Sequence, residues 1–548
     1  MKITRKLFSK PLIYIAITLI GISLKFYQID YKMFWYDELA TVFHVAGADD
    51  VLHVSDAHLD EIVNISEYTT LLKHSAFDYP LIPQLKKQLQ NMNLNPLHYV
   101  LLSFWYRLVG DEFIHYRLFS VLIFLLTLPF LFLLAKEMFG SKRAGWIAVS
   151  LYSVSPFIHY FAQEARYYIL WAFLLVAIHY FIFMAAKHNK TKWWIWYVVF
   201  SILSLYASAL SGFMIFQHLL FIWFVKKELR VKFLIVSFII FVFYSPWLIY
   251  LVNNRNEVFA ALAWHRFEVV PWWAPLLGLV LGYVRTFSFY QNYTLFWDDV
   301  FGNITNAMKI ETGINILILS FMIYSAVYLF RKSNRESAWF LLLLILPALI
   351  FFYSLDIARN AITTHWWRYY IFNAIPLILL VTGMLADKTA ELKLRFSAIY
   401  VGLVIVALFS VFTISKHKYW YLGGNWQQEF VDNARQLSDS EFPLVITDFV
   451  WANSPVEGRM HIMEVLVDCT HDNIDILRVL PEIRDVDKLI KPGKYSDVFV
   501  YFASESLENN LKTQFGERMV YQEGRVGTPS WRIKTEEELK QKEEVIID

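Results

Sequence analysis

Three short stretches of this chain set residues that could do chemistry beside long apolar runs. "FWYDELATVF", residues 34–43, carries Asp37 and Glu38 side by side about ten residues past the first such run. "SPFIHYFAQEARYYILW", residues 155–171, packs Gln163, Glu164 and Arg166 into the short connection between two runs. "ARNAITTHWWRYYIFNAIP", residues 358–376, brings Arg359, His365 and Arg368 to the start of a later one. A carboxylate can accept the proton of an attacking hydroxyl, and the planar fork of an arginine matches phosphate oxygens as a lysine does not. Each stretch also has a plainer reading. The acids fit a solvated interface, Arg166 fits a belt with Tyr160, Tyr167 and Tyr168, and Arg368 fits a headgroup anchor among Trp366, Trp367, Tyr369 and Tyr370.

The elements that must position these residues are membrane helices. The chain has 548 residues, of which 57% are hydrophobic and only 18% charged, and its mean hydropathy is positive; ordinary soluble domains do not look like this. Aromatic residues make up 18% of it, more than interfacial belts require, and aromatic rings are the usual platform for sugars. A net charge of +2 with no long basic run argues against a nucleic-acid partner. The single cysteine, Cys469, excludes an internal disulfide and cysteine-based metal sites. No Walker, Rossmann or nucleophile-elbow pattern occurs, which argues against a soluble nucleotide as donor.

Runs long enough to cross a bilayer fall at 11–27, 118–135, 144–160, 168–186, 193–209, 211–225, 233–252, 312–330, 338–355, 369–386 and 396–415, about eleven spans. The first follows Lys2, Arg5, Lys6 and Lys10 without a small-residue cleavage site, so it reads as a retained span. Basic clusters around Lys136, Lys187, Lys226, Arg331 and Lys388 then fall in alternate loops, on the side of the basic N-terminus. The positive-inside rule makes that side cytoplasmic and puts the other loops and the C-terminal domain outside. Two stretches must not cross for this to hold. "NPLHYVLLSFWYRLVG" reads as a surface helix started by Asn95 and Pro96, with Leu97, Val100, Leu101, Phe104 and Leu108 on one face and Tyr99, Ser103, Tyr106 and Arg107 on the other. The stretch 272–290 reads as interfacial or re-entrant.

The first outer loop, roughly 28–95, holds ten acids against four lysines, and loops of that length are usually functional. His44, His53 and His58 share it, so a divalent-cation site is admitted, although their spacing matches no tight ligand motif and a solvated loop is the simpler reading. After 415 the pattern changes: "LVITDFV" and "SDVFVYFAS" read as buried strands between helical stretches. "LGGNW" at 422–426 is a turn signal, and the closing "TEEELKQKEEVIID" a solvated tail or surface helix. The expected architecture is an α-helical polytopic membrane domain, 1–415, whose outer loop and juxtamembrane helices occupy 28–117. A soluble outer α/β domain, 416–548, follows it.

"FWYDELAT", then the stretch from Asn93 to Gly140 opening "NLNPLHYV", then "SPFIHYFAQEARYYIL" resemble, in order and spacing, bacterial membrane glycosyltransferases of the GT-C superfamily. Their relatives include protein O-mannosyltransferases and the lipid A aminoarabinose transferase. The resemblance covers roughly 10–415 and weakens after about 210. It implies a many-spanned bundle with juxtamembrane helices, a sugar donor on a polyprenyl phosphate, and direct displacement with inversion. It implies Asp37 as the catalytic base with Glu38 beside it, Arg166, Arg368 and Tyr369 at the donor phosphate, and Gln163, Glu164, Tyr167 and His98 lining the cavity. The acceptor is a lipid, a glycan or a protein, and the location it implies is the bacterial cytoplasmic membrane. Two departures stand out: Asn95 replaces a lysine found before the surface-helix proline in the aminoarabinose branch, and "LYASALSG" has Ser208 and Ala209 where a His-Tyr pair is common. If the acceptor is itself a phosphate, a base is less needed and Asp37 serves orientation or a metal.

Two other functions fit a polytopic bundle. A transporter or flippase of lipid-linked sugars needs access from both faces, and here the candidates gather on one, without inverted repeats. A polymerase or ligase of lipid-linked oligosaccharides shares the donor chemistry and differs mainly in acceptor.

Overall fold

The computed structural model describes residues 11–46, 59–69, 81–83, 85–86, 96–110, 112–256, 270–289, 306–332, 335–390, 394–420, 426–449, 455–490, 493–522 and 530–534. Asn95, His53, His58, most of "LGGNW" and the tail from 535 lie outside them. The chain divides into two units. One takes Met1–Ile29, Asn91–Leu101 and Tyr116–Lys416; the other takes Asp30–Gln90, Leu102–His115 and His417–Asp548. The expected membrane domain included 28–117; the described residues 30–46 and 59–69 of the first loop fall in the second unit.

The first unit is a helical bundle. Among the described residues seven helices are long and apolar enough to cross a membrane, and they occupy seven of the eleven expected runs. The other four runs form helices shorter than these seven. Leu12–Phe26 and Ser211–Val225 have 15 residues each and Thr191–Ala207 has 17. A 15-residue helix rises about 22 Å against a hydrocarbon core of about 30 Å. The run 144–160 breaks into Lys142–Val154 and Pro156–Gln163. Pro156 forces the break, because a residue before proline is held out of the helical region. Ser155 there has ψ 124°, and its hydroxyl receives the Ile158 N–H as a cap.

Burial sorts the bundle. The spans Tyr168–His188 and Arg368–Thr389 are 94% buried and form its centre, whereas Lys227–Asn253 and Lys309–Arg331, at 22%, are peripheral. Leu12–Phe26 lies close against Lys142–Val154 at Gly21, where a Cβ would stand 2.6 Å from Ser153. Trp273–Val284, with 12 residues, falls in the stretch read as non-crossing. It packs on the turn Thr363–His365 through Gly278 and on Tyr370 through Gly282. The helix Pro96–Val109 exposes its apolar residues Leu101, Phe104 and Leu108 and buries Tyr99, Ser103 and Tyr106, so its polar face is the one turned into protein.

The second unit is built on a six-stranded sheet in the order β1-β3-β2-β4-β6-β5. The strands are β1 Ile62–Asn64, β2 Pro443–Thr447, β3 Asp475–Arg478, β4 Asp497–Val500, β5 Met519–Gln522 and β6 Ser530–Ile533. β3, β2 and β4 run parallel, and β1, β6 and β5 are antiparallel to their neighbours. Alternate residues Leu444, Ile446, Val498 and Val500 join Leu507, Leu511 and Phe515 of the helix Glu505–Phe515 in one core, as the period of two in a strand requires. β1 comes from the first loop: Asn64 sits opposite Asp475 and its amide donates to Asp472 O at 2.8 Å.

Candidate active site

In the membrane unit the tight turn after Gln163 presents its side chains through the hydrogen bonds of the turn itself. Glu164 O receives both the Arg166 N–H and the Ser120 hydroxyl, at 2.8 and 2.7 Å. Arg166 is thereby aimed at tyrosines. Its Nη1 donates to Tyr99 Oη at 3.4 Å, and its guanidinium lies 5.8 and 5.9 Å from the rings of Tyr167 and Tyr168. Arg368, from the turn Trp367–Tyr370 some two hundred residues later, donates through Nη1 to Tyr168 Oη at 3.2 Å. Both arginines are partly exposed. Burial and then Tyr168 raise the Tyr167 phenol well above its usual value, while Arg166 and Arg368 act on it in the opposite sense. The structure therefore brings Arg166, Arg368, Tyr167 and Tyr369 to one place, around Tyr168.

His98 belongs to the same neighbourhood. It is 1% exposed, stands edge-on to Tyr99 and Phe119, and is pushed down to about 3 by burial and by the charge of Arg166. It is neutral at physiological pH. Glu164 is fully buried. Gln163 acts on the backbone instead. Its Nε2 donates to Leu24 O, Lys25 O and Tyr27 O, closing carbonyls that the end of the first helix leaves open. His365 is pushed down to about 4 by burial and Arg285. Sequence reasoning left Tyr99 and Tyr168 without roles. The signal was available for Tyr99, which falls on the polar face of the surface helix.

In the second unit Asp37 and Glu38 stand in the first turn of Tyr36–Ala46, where the helix dipole favours negative charge. Asp37 is partly exposed and Glu38 fully buried. The stretch of chain before them is tied to the segment that leaves the last membrane helix. Lys32 Nζ donates to His417 O and Tyr419 O at 3.0 and 3.2 Å, Met33 N donates to Lys418 O at 2.8 Å, and Trp420 Nε1 donates to Met33 O at 3.0 Å. The ring of Tyr36 lies 5.4 Å from that of His461. Among the described residues no group of three or more His, Cys, Asp or Glu side chains is arranged to hold a metal ion.

These features define a polytopic helical bundle with a smaller sheet-containing unit. The family model of dolichyl-phosphate-mannose-protein mannosyltransferases matches residues 94–250, less than half of the chain. No curated protein matches it. Among solved structures, ArnT from Cupriavidus metallidurans bound to undecaprenyl phosphate superposes with a TM-score of 0.50 at 12% identity, covering 95% of this chain and 97% of that one. The oligosaccharyltransferase of Archaeoglobus fulgidus covers 71% of this chain and 56% of its own at 12% identity, with a TM-score of 0.40. The chain has the fold of GT-C membrane glycosyltransferases and resembles the branch that contains protein mannosyltransferases and ArnT.

Proposed function

We propose that this chain is an inverting glycosyltransferase that moves a sugar from a polyprenyl phosphate to an acceptor at the outer face of the bacterial cytoplasmic membrane. The observation that carries the reading is the gathering of Arg166 and Arg368 around Tyr168, with Tyr99, Tyr167 and Tyr369 beside them. Two guanidinium forks offer a phosphate several charge-assisted hydrogen bonds, and the phenols offer flat surfaces and further donors. The lipid bound in the similar ArnT structure is undecaprenyl phosphate, which supports a donor of that class.

In the reaction the acceptor hydroxyl gives its proton to Asp37, and its oxygen bonds to the anomeric carbon. The bond from that carbon to the phosphate oxygen breaks, its electron pair leaves with the polyprenyl phosphate, and Arg166 and Arg368 stabilise the charge that develops there. A single displacement inverts the anomeric centre. The membrane keeps the donor's lipid in place while the site holds its head, which supplies proximity.

The test compares outer-envelope glycans, lipids and glycoproteins by mass spectrometry in cells carrying the wild type or Asp37→Asn at equal abundance. Loss of one defined sugar from one class of molecule is the expected result and names both substrates. An unchanged profile, with the variant stably expressed and the wild type shown to be active in transport, would overturn the reading in favour of a flippase.

A further inference from the structure

The last turn of the helix Arg335–Arg359 carries a carboxylate that the transfer chemistry above leaves unused. Asp356 is 0% exposed, and no basic side chain among the described residues forms an ion pair with it. At the C-terminal end of a helix the dipole disfavours an anion, so its charge must be met by donors from beyond the helix. The chain that follows supplies them. Asn360 reverses it in the left-handed region, at φ 48°, and the Ala361 N–H returns to Asp356 O at 2.9 Å. The turn Thr363–His365 then brings its donors to the side chain. Thr363 N–H reaches Oδ1 at 2.9 Å, while Thr364 N–H and the Thr364 hydroxyl reach Oδ2 at 2.8 and 2.7 Å.

That turn in turn holds the one that carries Arg368. Trp366 N–H donates to Thr363 O at 3.1 Å, and the Trp366 ring lies 5.3 Å from the Arg368 guanidinium. The Tyr370 hydroxyl donates to Thr364 O. Arg368 is therefore bracketed by two residues, each bonded to a threonine that Asp356 holds. The helix Trp273–Val284 closes the arrangement from the other side: a Cβ on Gly278 would stand 2.7 Å from Thr364 O, and one on Gly282 would stand 2.6 Å from the Tyr370 ring. We propose that Asp356 is a positioning residue for the donor phosphate: it fixes the two turns that aim Arg368 at Tyr168, and Thr364 is the joint through which it acts. The proposal rests on the reading of Arg368 as a phosphate ligand. Hydrogen bonds to a carboxylate are stronger than neutral ones, and a guanidinium oriented before the donor arrives spares binding the cost of ordering it.

The test is equilibrium binding of radiolabelled undecaprenyl phosphate to the purified full-length chain in lipid nanodiscs, with the unfolding temperature measured alongside. Asp356→Asn keeps the side chain's shape but turns an amide NH2 towards one of the N–H groups of the turn, and should raise the dissociation constant roughly fivefold or more. Thr364→Val loses the hydroxyl bond and should raise it too, whereas Thr364→Ser keeps that bond and should not. Added to Arg368→Ala, Asp356→Asn should weaken binding by less than about twofold further, because a residue that works through Arg368 has nothing left to aim. A rise of the same size in both backgrounds, or a lower unfolding temperature with an unmoved dissociation constant, would overturn the proposal. Should Asp356→Asn fail to reach wild-type abundance, the Thr364 pair decides, and equal affinity in the Val and Ser variants counts against it. Arg368→Ala separates the two readings. Unchanged affinity in that variant overturns both, whereas weakened binding there with wild-type affinity in Asp356→Asn and Thr364→Val overturns the positioning role alone.

Discussion

Arg166 and Arg368 reach Tyr168 from two turns far apart in sequence, one with its ring contact and one with its hydrogen bond. If they hold the donor phosphate, Arg166→Ala and Arg368→Ala should each raise the donor concentration for half-maximal rate by roughly tenfold or more, the size of a lost charge-assisted hydrogen bond. Lysine should not restore it, because it lacks the fork. Asp37→Asn should lower turnover by about a hundredfold or more while donor binding survives; equilibrium binding of labelled polyprenyl phosphate separates the two effects. His98 gives a pH prediction with a definite sign. It is held near 3 in the fold against about 6.5 in the unfolded chain, so only the unfolded chain takes up this proton between those values. Its contribution to stability is present above about 6.5 and is lost progressively as pH falls towards 3. His98→Gln should therefore lose less thermal stability than the wild type on acidification, as read by scanning fluorimetry in detergent. Asp37, Arg166 and Arg368 were legible as candidates from residue type and place alone. Gln163 was not legible as a cap, because the carbonyls it closes lie some 140 residues away in sequence.

The elements show where a hydropathy pattern stops. The run 144–160 is long enough to read as one span, and only Pro156 tells that it is two helices, with the second leading directly into the Arg166 turn. The helix Pro96–Val109 was readable in both extent and faces, because a period of 3.6 survives whichever medium covers each face. What the pattern alone does not give is which face meets protein, and the polar one does. Helix contact at Gly21 is equally silent in sequence, since one glycine in an apolar helix carries no direction. Gly21→Val would drive two methyl groups into Ser153, and overpacking of this kind costs about 1–3 kcal/mol. The expected outcome is a lower yield of monodisperse protein and a lower unfolding temperature, while Gly402→Ala, where a Cβ meets nothing within 4 Å, leaves both unchanged.

On the scale of the whole molecule, the parallel strands of the C-terminal domain could be read from "LVITDFV" and "SDVFVYFAS", and they became neighbours in the sheet. The membership of the first loop could not, because β1 has three residues and its partner lies more than four hundred positions on. Lys32 and Met33 tie the approach to Asp37 to residues 417–420. A chain ending at Ser415 should therefore still insert its spans but lose transfer, and limited proteolysis should cut it around residues 30–35, which the full chain ties to 417–420.

The same pairing sets a clock on synthesis. Ile62–Asn64 leaves the ribosome about four hundred residues before β3, which at 5–20 residues per second is roughly 20 to 80 seconds. Throughout that interval the first loop lacks its strand partner, and the sheet of the second unit closes only when the end of the polypeptide folds back onto its beginning.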